Sequence, residues 1–151
     1  MVTVNGSFSF EIREPIEEAR DQLRNTLSRI DGKDRYSLVL WAMPEGKRLV
    51  ELDEDKDARE YIQCAGSAAA MTVELRTESA GEGQQLVVGR LPGPRLNEPN
   101  VRIPWDEYEV VVYEDEVFTA SEAAELFGSY LEQGSVPARF MLRPLNLAGD
   151  R

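Results

Sequence analysis

Thr119-Ala120-Ser121-Glu122 opens the most constraining stretch of this chain. A Thr followed three residues later by Glu has the spacing of a capping box, in which each side chain satisfies a backbone N–H that the helix start leaves free. Ala123, Leu126, Phe127, Tyr130 and Leu131 then recur at i, i+3, i+4, i+7 and i+8, the spacing of one buried helical stripe. Gly134 suits the left-handed residue that closes a helix, and Pro137 blocks its resumption. Both ends and the inner face of a helix from Thr119 to Gly134 are therefore specified locally.

A second helix is predicted over residues 15–31. Pro15 fits its first turn, and Glu17, Glu18 and Asp21 sit near the positive end of its dipole. Ile16, Ala19, Leu23, Leu27 and Ile30 form the apolar stripe, with Gly32 as the expected residue just past the end.

The remainder reads as strands. Ser7 to Ile12 alternates polar and apolar, the mark of a half-buried strand. Tyr36 to Met43 is a continuous apolar run, predicted to be a central strand covered on both faces, with Lys47 to Leu52 pairing to it across Pro44-Glu45-Gly46. Asp53 to Asp57 reads as a charged turn. Arg59–Ala65 and Met71–Thr77 are strand candidates, and Gly81-Glu82-Gly83 is a hairpin turn into Gln84–Gly89. Residues 91–100 carry three prolines and one glycine, and read as a long surface loop. Val101–Trp105 and Tyr108–Tyr113 follow as strands, the second with the β-favouring core Val110-Val111-Val112, and Phe140–Leu145 closes the chain before a short polar tail. The expected architecture is a single α+β domain over residues 1–151, a mainly antiparallel β-sheet with an N-terminal and a C-terminal helix packed on it.

Composition removes several kinds of chemistry. The chain has no His, which excludes Ser-His-Asp and Cys-His nucleophile pairs, His general bases and His-ligated metals. A single Cys64 excludes an internal disulfide and Cys-rich zinc patterns, and with no basic neighbour in sequence it reads as a small buried hydrophobe. Asp53-x-Asp55-x-Asp57 begins like a calcium loop, but Ala58 stands where a sharp turn needs Gly and Cys64 where a bidentate Glu belongs. Gly81-Glu82-Gly83 lacks the Lys and Ser/Thr of a phosphate-binding loop. No metal site, cofactor or catalytic residue is assigned, and the chain is expected not to be an enzyme. No apolar run approaches a membrane span, the first residues lack the pattern of a signal peptide, and the single thiol suits a reducing compartment, so a cytoplasmic protein is expected.

Charge carries the most information. The net charge is −11, which argues against nucleic-acid and membrane-surface partners. Residues 101–135 hold nine acidic side chains against one basic, while residues 136–151 are net positive. Within that segment Asp106, Glu107, Glu109, Glu114, Asp115 and Glu116 cluster with Trp105, Tyr108 and Tyr113. Aromatics set in acidic surface suit a protein interface, where rings bury area and charges steer a basic partner. Acidic faces also keep small proteins soluble, Glu122 and Glu125 suit a helix start, and the aromatics could equally be core. Trp105, Asp106, Glu107, Glu109, Glu114, Asp115 and Glu116 are the candidate partner-binding residues.

Three passages resemble the Imm-one family of immunity proteins of bacterial polymorphic toxin systems: the early helix and following strand, Glu17 to Trp41; Tyr61-Ile62-Gln63-Cys64-Ala65-Gly66 leading into Thr72-Val73-Glu74-Leu75-Arg76; and Thr119 to Gly134 followed by Pro137 and Phe140–Arg143. The likeness spans about residues 16–144, and the closing Phe140-Met141-Leu142-Arg143 departs from the Trp-containing last strand often seen in that family. The resemblance implies a non-enzymatic inhibitor, monomeric when free, that binds a cognate toxin domain with a basic cleft and occludes its active site. The alternative is a small acidic secretion chaperone that dimerises and holds an effector segment.

Overall fold

The computed structural model describes residues 1–91, 93 and 95–145. Pro92 and Pro94 of the expected surface loop, and the polar tail after Leu145, lie outside the described residues.

Helix α1 runs Ile16–Ser28 behind Pro15, with Glu17 and Glu18 in its first turn. Ala19, Leu23 and Leu27 are its buried stripe, and Ile30 is buried just beyond, but Ile16 is 42% exposed and does not join them. Gly32 does not close this helix as expected. The chain leaves through Arg29 in a right-handed conformation, and Gly32, at φ +83°, serves a separate turn in which Asp31 Oδ1 accepts the N–H groups of Lys33 and Arg35. An Asp side chain that accepts backbone N–H groups a few residues on stabilises a tight turn of this kind.

Helix α3, Ala120–Gln133, is as read. Thr119 Oγ1 accepts the Glu122 N–H at 3.3 Å, Glu122 Oε1 accepts the Thr119 N–H at 3.0 Å, and Gly134 ends the helix in the left-handed region. The two long helices pack side by side, where Gly128 leaves room for the Arg20 guanidinium, which pairs with Glu132 at 2.8 Å.

The described residues also form nine strands: β1 Val2–Val4, β2 Phe8–Phe10, β3 Ser37–Leu40, β4 Tyr61–Gly66, β5 Met71–Ser79, β6 Glu82–Gly89, β7 Val101–Trp105, β8 Tyr108–Val112 and β9 Met141–Pro144. Seven make one antiparallel sheet in the order β2-β1-β3-β4-β5-β6-β9, and β7-β8 is a separate hairpin. The β5–β6 turn is Ala80-Gly81, both at positive φ, one residue earlier than the glycine pattern alone suggested.

Two expectations fail at the centre of the sheet. Lys47–Leu52 does not pair with β3, because β1 and β4 already occupy both of its edges. Leu49–Glu51 instead forms one 3-10 turn that Glu51 closes by accepting the Arg48 N–H at 2.7 Å. The following charged turn contains a short helix, α2, Glu54–Asp57. Nor is β3 buried on both faces: Leu38 and Leu40 are, while Ser37 and Val39 are half-exposed.

This one-sided burial organises the molecule. On one face Val2, Leu38, Leu40, Ile62, Cys64, Val73, Leu75 and Val88 join Leu23, Leu27, Leu126 and Phe127 from the helices in the main core. On the other face the strand registers align Ser9, Thr3, Val39, Gln63, Glu74, Val87 and Arg143 in one row across the sheet. The β7-β8 hairpin covers the far end of that row, packing Ile103, Val110 and Val112 on Val87 as a second, smaller core. Gly66 permits the close approach: at φ +130°, a Cβ there would lie 2.8 Å from Ile103 Cγ2 and 2.5 Å from the Ala70 carbonyl oxygen. Among the described residues no helix is long and apolar enough to cross a membrane.

Candidate functional site

The acidic segment singled out above divides in two. Trp105 pairs with Tyr108 at the tip of the hairpin, whereas Val101 pairs with Val112 at its base. Tip and base lie about 13 Å apart at ~3.3 Å per residue, and their surroundings differ.

The base is folded into the molecule. Glu114–Glu116 is a 3-10 turn in which Asp115 is 8% and Glu116 0% exposed. Arg95 binds Asp115 through both terminal nitrogens, with Nη2 at 2.8 Å, and the Leu91 N–H donates to Asp115 Oδ2. Arg143 binds Glu116 through Nε at 2.8 Å and Nη2 at 3.0 Å. The two guanidinium groups lie against the Tyr113 ring, at 4.6 and 5.2 Å from its centroid. Burial pushes the Asp115 carboxyl up, but the Arg95 and Leu91 hydrogen bonds outweigh it and hold its pKa below the ordinary value. Of the candidate partner-binding residues, Asp115 and Glu116 are thus buried and paired with arginines of the same chain, while Glu114 is exposed beside them. Their partners lie 20 and 27 residues away, beyond any local pattern.

The tip is the opposite case. Asp106, Glu107, Tyr108 and Glu109 are exposed, with Tyr108 at 63%. Glu109 pairs with Arg102 across the hairpin, while among the described residues no Lys or Arg pairs with Asp106 or Glu107. Asp106 takes a positive φ of 53°, which Asp tolerates better than most residues, and its N–H donates to the Gly32 carbonyl at 2.9 Å. That bond ties the tip to the turn after α1. Trp105 is half-buried, its ring 5.9 Å from Tyr36 and 5.1 Å from Tyr108.

Under these rings the uncovered part of the second sheet face forms a cleft of about 410 Å³. Its floor includes Gln63, Thr72 and Glu74; its sides include Tyr36, Trp105, Tyr108, Glu54 and Glu109. Glu74 is 4% exposed and accepts hydrogen bonds from the side-chain amides of Gln63, directly opposite on β4, and of Gln85, at 3.1 Å. Cys64 backs the cleft, but burial pushes its thiol to a pKa of about 12, so it is a protonated core side chain, as its sequence setting suggested. The Asp53 and Asp57 carboxylates are engaged by Lys56 and Lys47, at 2.9 and 2.7 Å.

Tyr36, Glu54, Gln63 and Glu74 were not anticipated as site residues. The polar positions of Tyr61-x-Gln63 and Thr72-x-Glu74-x-Arg76 do show that β4 and β5 have a polar second face. Only the register places Gln63 against Glu74, and only the docking of the hairpin turns that face into a cleft. Comparison with protein-family models, with curated proteins and with solved structures finds no match to this chain.

Proposed function

We propose that this chain is a non-enzymatic immunity-type inhibitor, acting in the cytoplasm, that binds the basic cleft of a cognate toxin domain through the β7-β8 hairpin tip. The observation that carries the reading is the exposed tip itself: Asp106, Glu107, Tyr108 and Glu109 stand together beside the half-buried Trp105, and among the described residues no Lys or Arg pairs with Asp106 or Glu107. Such charges raise the rate of encounter with a basic surface, and the rings supply area to bury once contact is made. The tip is also held in place, by the Asp106–Gly32 bond and by the packing of Ile103 and Val110, so little ordering is required on binding. The resemblance to the Imm-one family agrees with this reading and specifies the toxin as the partner.

The test uses the product of the gene adjacent to this one as the candidate toxin, with binding measured by calorimetry across a salt series. A one-to-one complex is expected whose affinity falls with salt and falls about tenfold or more in Glu107→Lys. Asp106 is better changed to Asn, which keeps the positive φ accessible. Absence of a complex, or an affinity indifferent to salt and to Glu107→Lys, overturns the assignment.

A further inference from the structure

We infer that strand β8 is an open pairing edge, to which the partner adds an extended basic segment as a third strand of the β7-β8 sheet. The inference rests on the reading above, whose partner is a basic protein, and adds the backbone contact by which that partner is held.

The bonding within the hairpin shows which edge is open. Asp106 and Glu107 form a two-residue turn, so the flanking Trp105 and Tyr108 are a hydrogen-bonded pair, and by alternation so are Ile103 with Val110 and Val101 with Val112. Glu109 and Val111 therefore direct their N–H and C=O groups away from β7. Among the described residues, no backbone hydrogen bond from outside the hairpin reaches them. The cleft lies along this same edge: Tyr108, Glu109 and Val110 line it, whereas β7 contributes Trp105 alone. An added strand would cover part of the second sheet face that the hairpin leaves open.

The other edges are blunted in ways that oppose pairing. Strand β2 has three residues, β9 contains Pro144, and β7 contains Pro104, which has no N–H to offer. Strand β8 has five residues, the β-favouring Val110-Val111-Val112, and no Pro, Gly or Lys. Donors and acceptors alternating along an extended strand are matched by another extended backbone, and not by a small metabolite.

Charge decides whose backbone it is. A second copy would bring another net charge of −11 to the edge and, paired about Glu109, would set like charges directly opposite. A basic segment instead meets Asp106 and Glu107 where β8 begins, and among the described residues no Lys or Arg of this chain pairs with either.

The test requires no protein partner. The probe is acetyl-Arg-Thr-Val-Thr-Val-Arg amide, titrated at constant ionic strength and followed by the backbone amide signals and amide exchange rates of isotope-labelled protein. One control peptide is N-methylated at its Thr and Val residues, which keeps the charge and removes the pairing donors; a second carries Glu in place of Arg. The expected result is a saturable shift and slowed exchange at the Glu109 and Val111 amides, with both controls at least about tenfold weaker. Val111→Pro deletes an N–H that β7 does not use, at an edge position where Pro is accepted, and should abolish the effect. Val111→Thr keeps the N–H and the strand preference, and should bind as the wild type does. The indole signal of the buried Trp41, which donates to Thr3 Oγ1, reports that each variant is folded. Should Val111→Pro disturb that signal, the exchange rates in the wild type decide: Glu109 and Val111 amides that are not slowed at saturating peptide overturn the inference. So do the absence of saturable shifts, equal binding of either control, and unchanged binding in folded Val111→Pro. A complex with the adjacent gene's product that is sensitive to Glu107→Lys, but leaves the Glu109 and Val111 amides exchanging freely, removes the added strand and keeps the tip assignment. Peptide pairing at β8 without any such complex keeps the open edge and removes the toxin as its partner.

Discussion

Glu107 and Glu116 belong to the same acidic run, yet their surroundings make opposite demands. Glu116 has no solvent to return to, and its carboxylate holds Arg143 by two hydrogen bonds, with Arg95 at 3.8 Å. Removing one member of a buried ion pair leaves the other charged and uncompensated, which typically costs about 3–5 kcal/mol. Glu116→Gln is therefore expected to lower stability by about 3 kcal/mol, measured by urea unfolding, and a change below ~1 kcal/mol would show that the cluster is not truly desolvated. Asp115 adds a pH dependence. Its folded pKa lies below its unfolded value, so its contribution is complete above about pH 4 and is lost as pH falls through the folded value. Melting temperatures of the wild type and Asp115→Asn should differ at neutral pH, with the wild type higher, begin to approach each other as pH falls below about 4, and converge only once pH is below the folded pKa of Asp115. Sequence placed both residues correctly in an acidic run, but the Arg partners that fix their meaning come from a loop and from the last strand.

At the scale of elements, the segments that were legible carry their own instructions. Helix α3 has cap, stripe and stop within sixteen residues, Thr119 to Gly134, and its boundaries are as expected. Thr119→Ala, which removes the side-chain acceptor of the Glu122 N–H, should cost about 1 kcal/mol in thermal or urea unfolding. The elements misread are those decided by neighbours. Strand β1 is only Val2–Val4, too short to show a period, and becomes a strand because β2 and β3 flank it. Lys47–Leu52 had the composition of a hairpin arm but no free strand edge to join. The hairpin β7-β8 was read as two strands, though not as a lid on the sheet's second face, since its docking depends on Gly66 meeting Ile103. Gly66→Ala would impose both the strained φ and a collision with backbone atoms at Ala70 and Met71, for an expected loss of about 2 kcal/mol or more. Hydrogen exchange should show the loss of protection first in Val101–Trp105 and Tyr108–Val112; uniform loss across the sheet would mean that the hairpin and the sheet open as one unit.

Over the whole molecule, the net charge of −11 is divided between carboxylates that the fold uses and carboxylates that it leaves unused. Asp115 and Glu116 are matched by arginines, and Glu132 and Glu125 tie α3 to Arg20 and Arg24 of α1. Among the described residues no Lys or Arg pairs with Asp106 or Glu107, and in a chain already strongly negative they add self-repulsion. Their expense to the folded state, and their use elsewhere, can be separated by one comparison. Asp106→Asn with Glu107→Gln should leave stability unchanged to within about 0.5 kcal/mol, with any gain seen at about 20 mM salt and screened away at about 500 mM. The same pair of substitutions should weaken association with a basic partner and flatten its salt dependence. A stability loss above about 1 kcal/mol would instead make these side chains part of the hairpin's own support and would remove the physical basis for treating the tip as a binding surface.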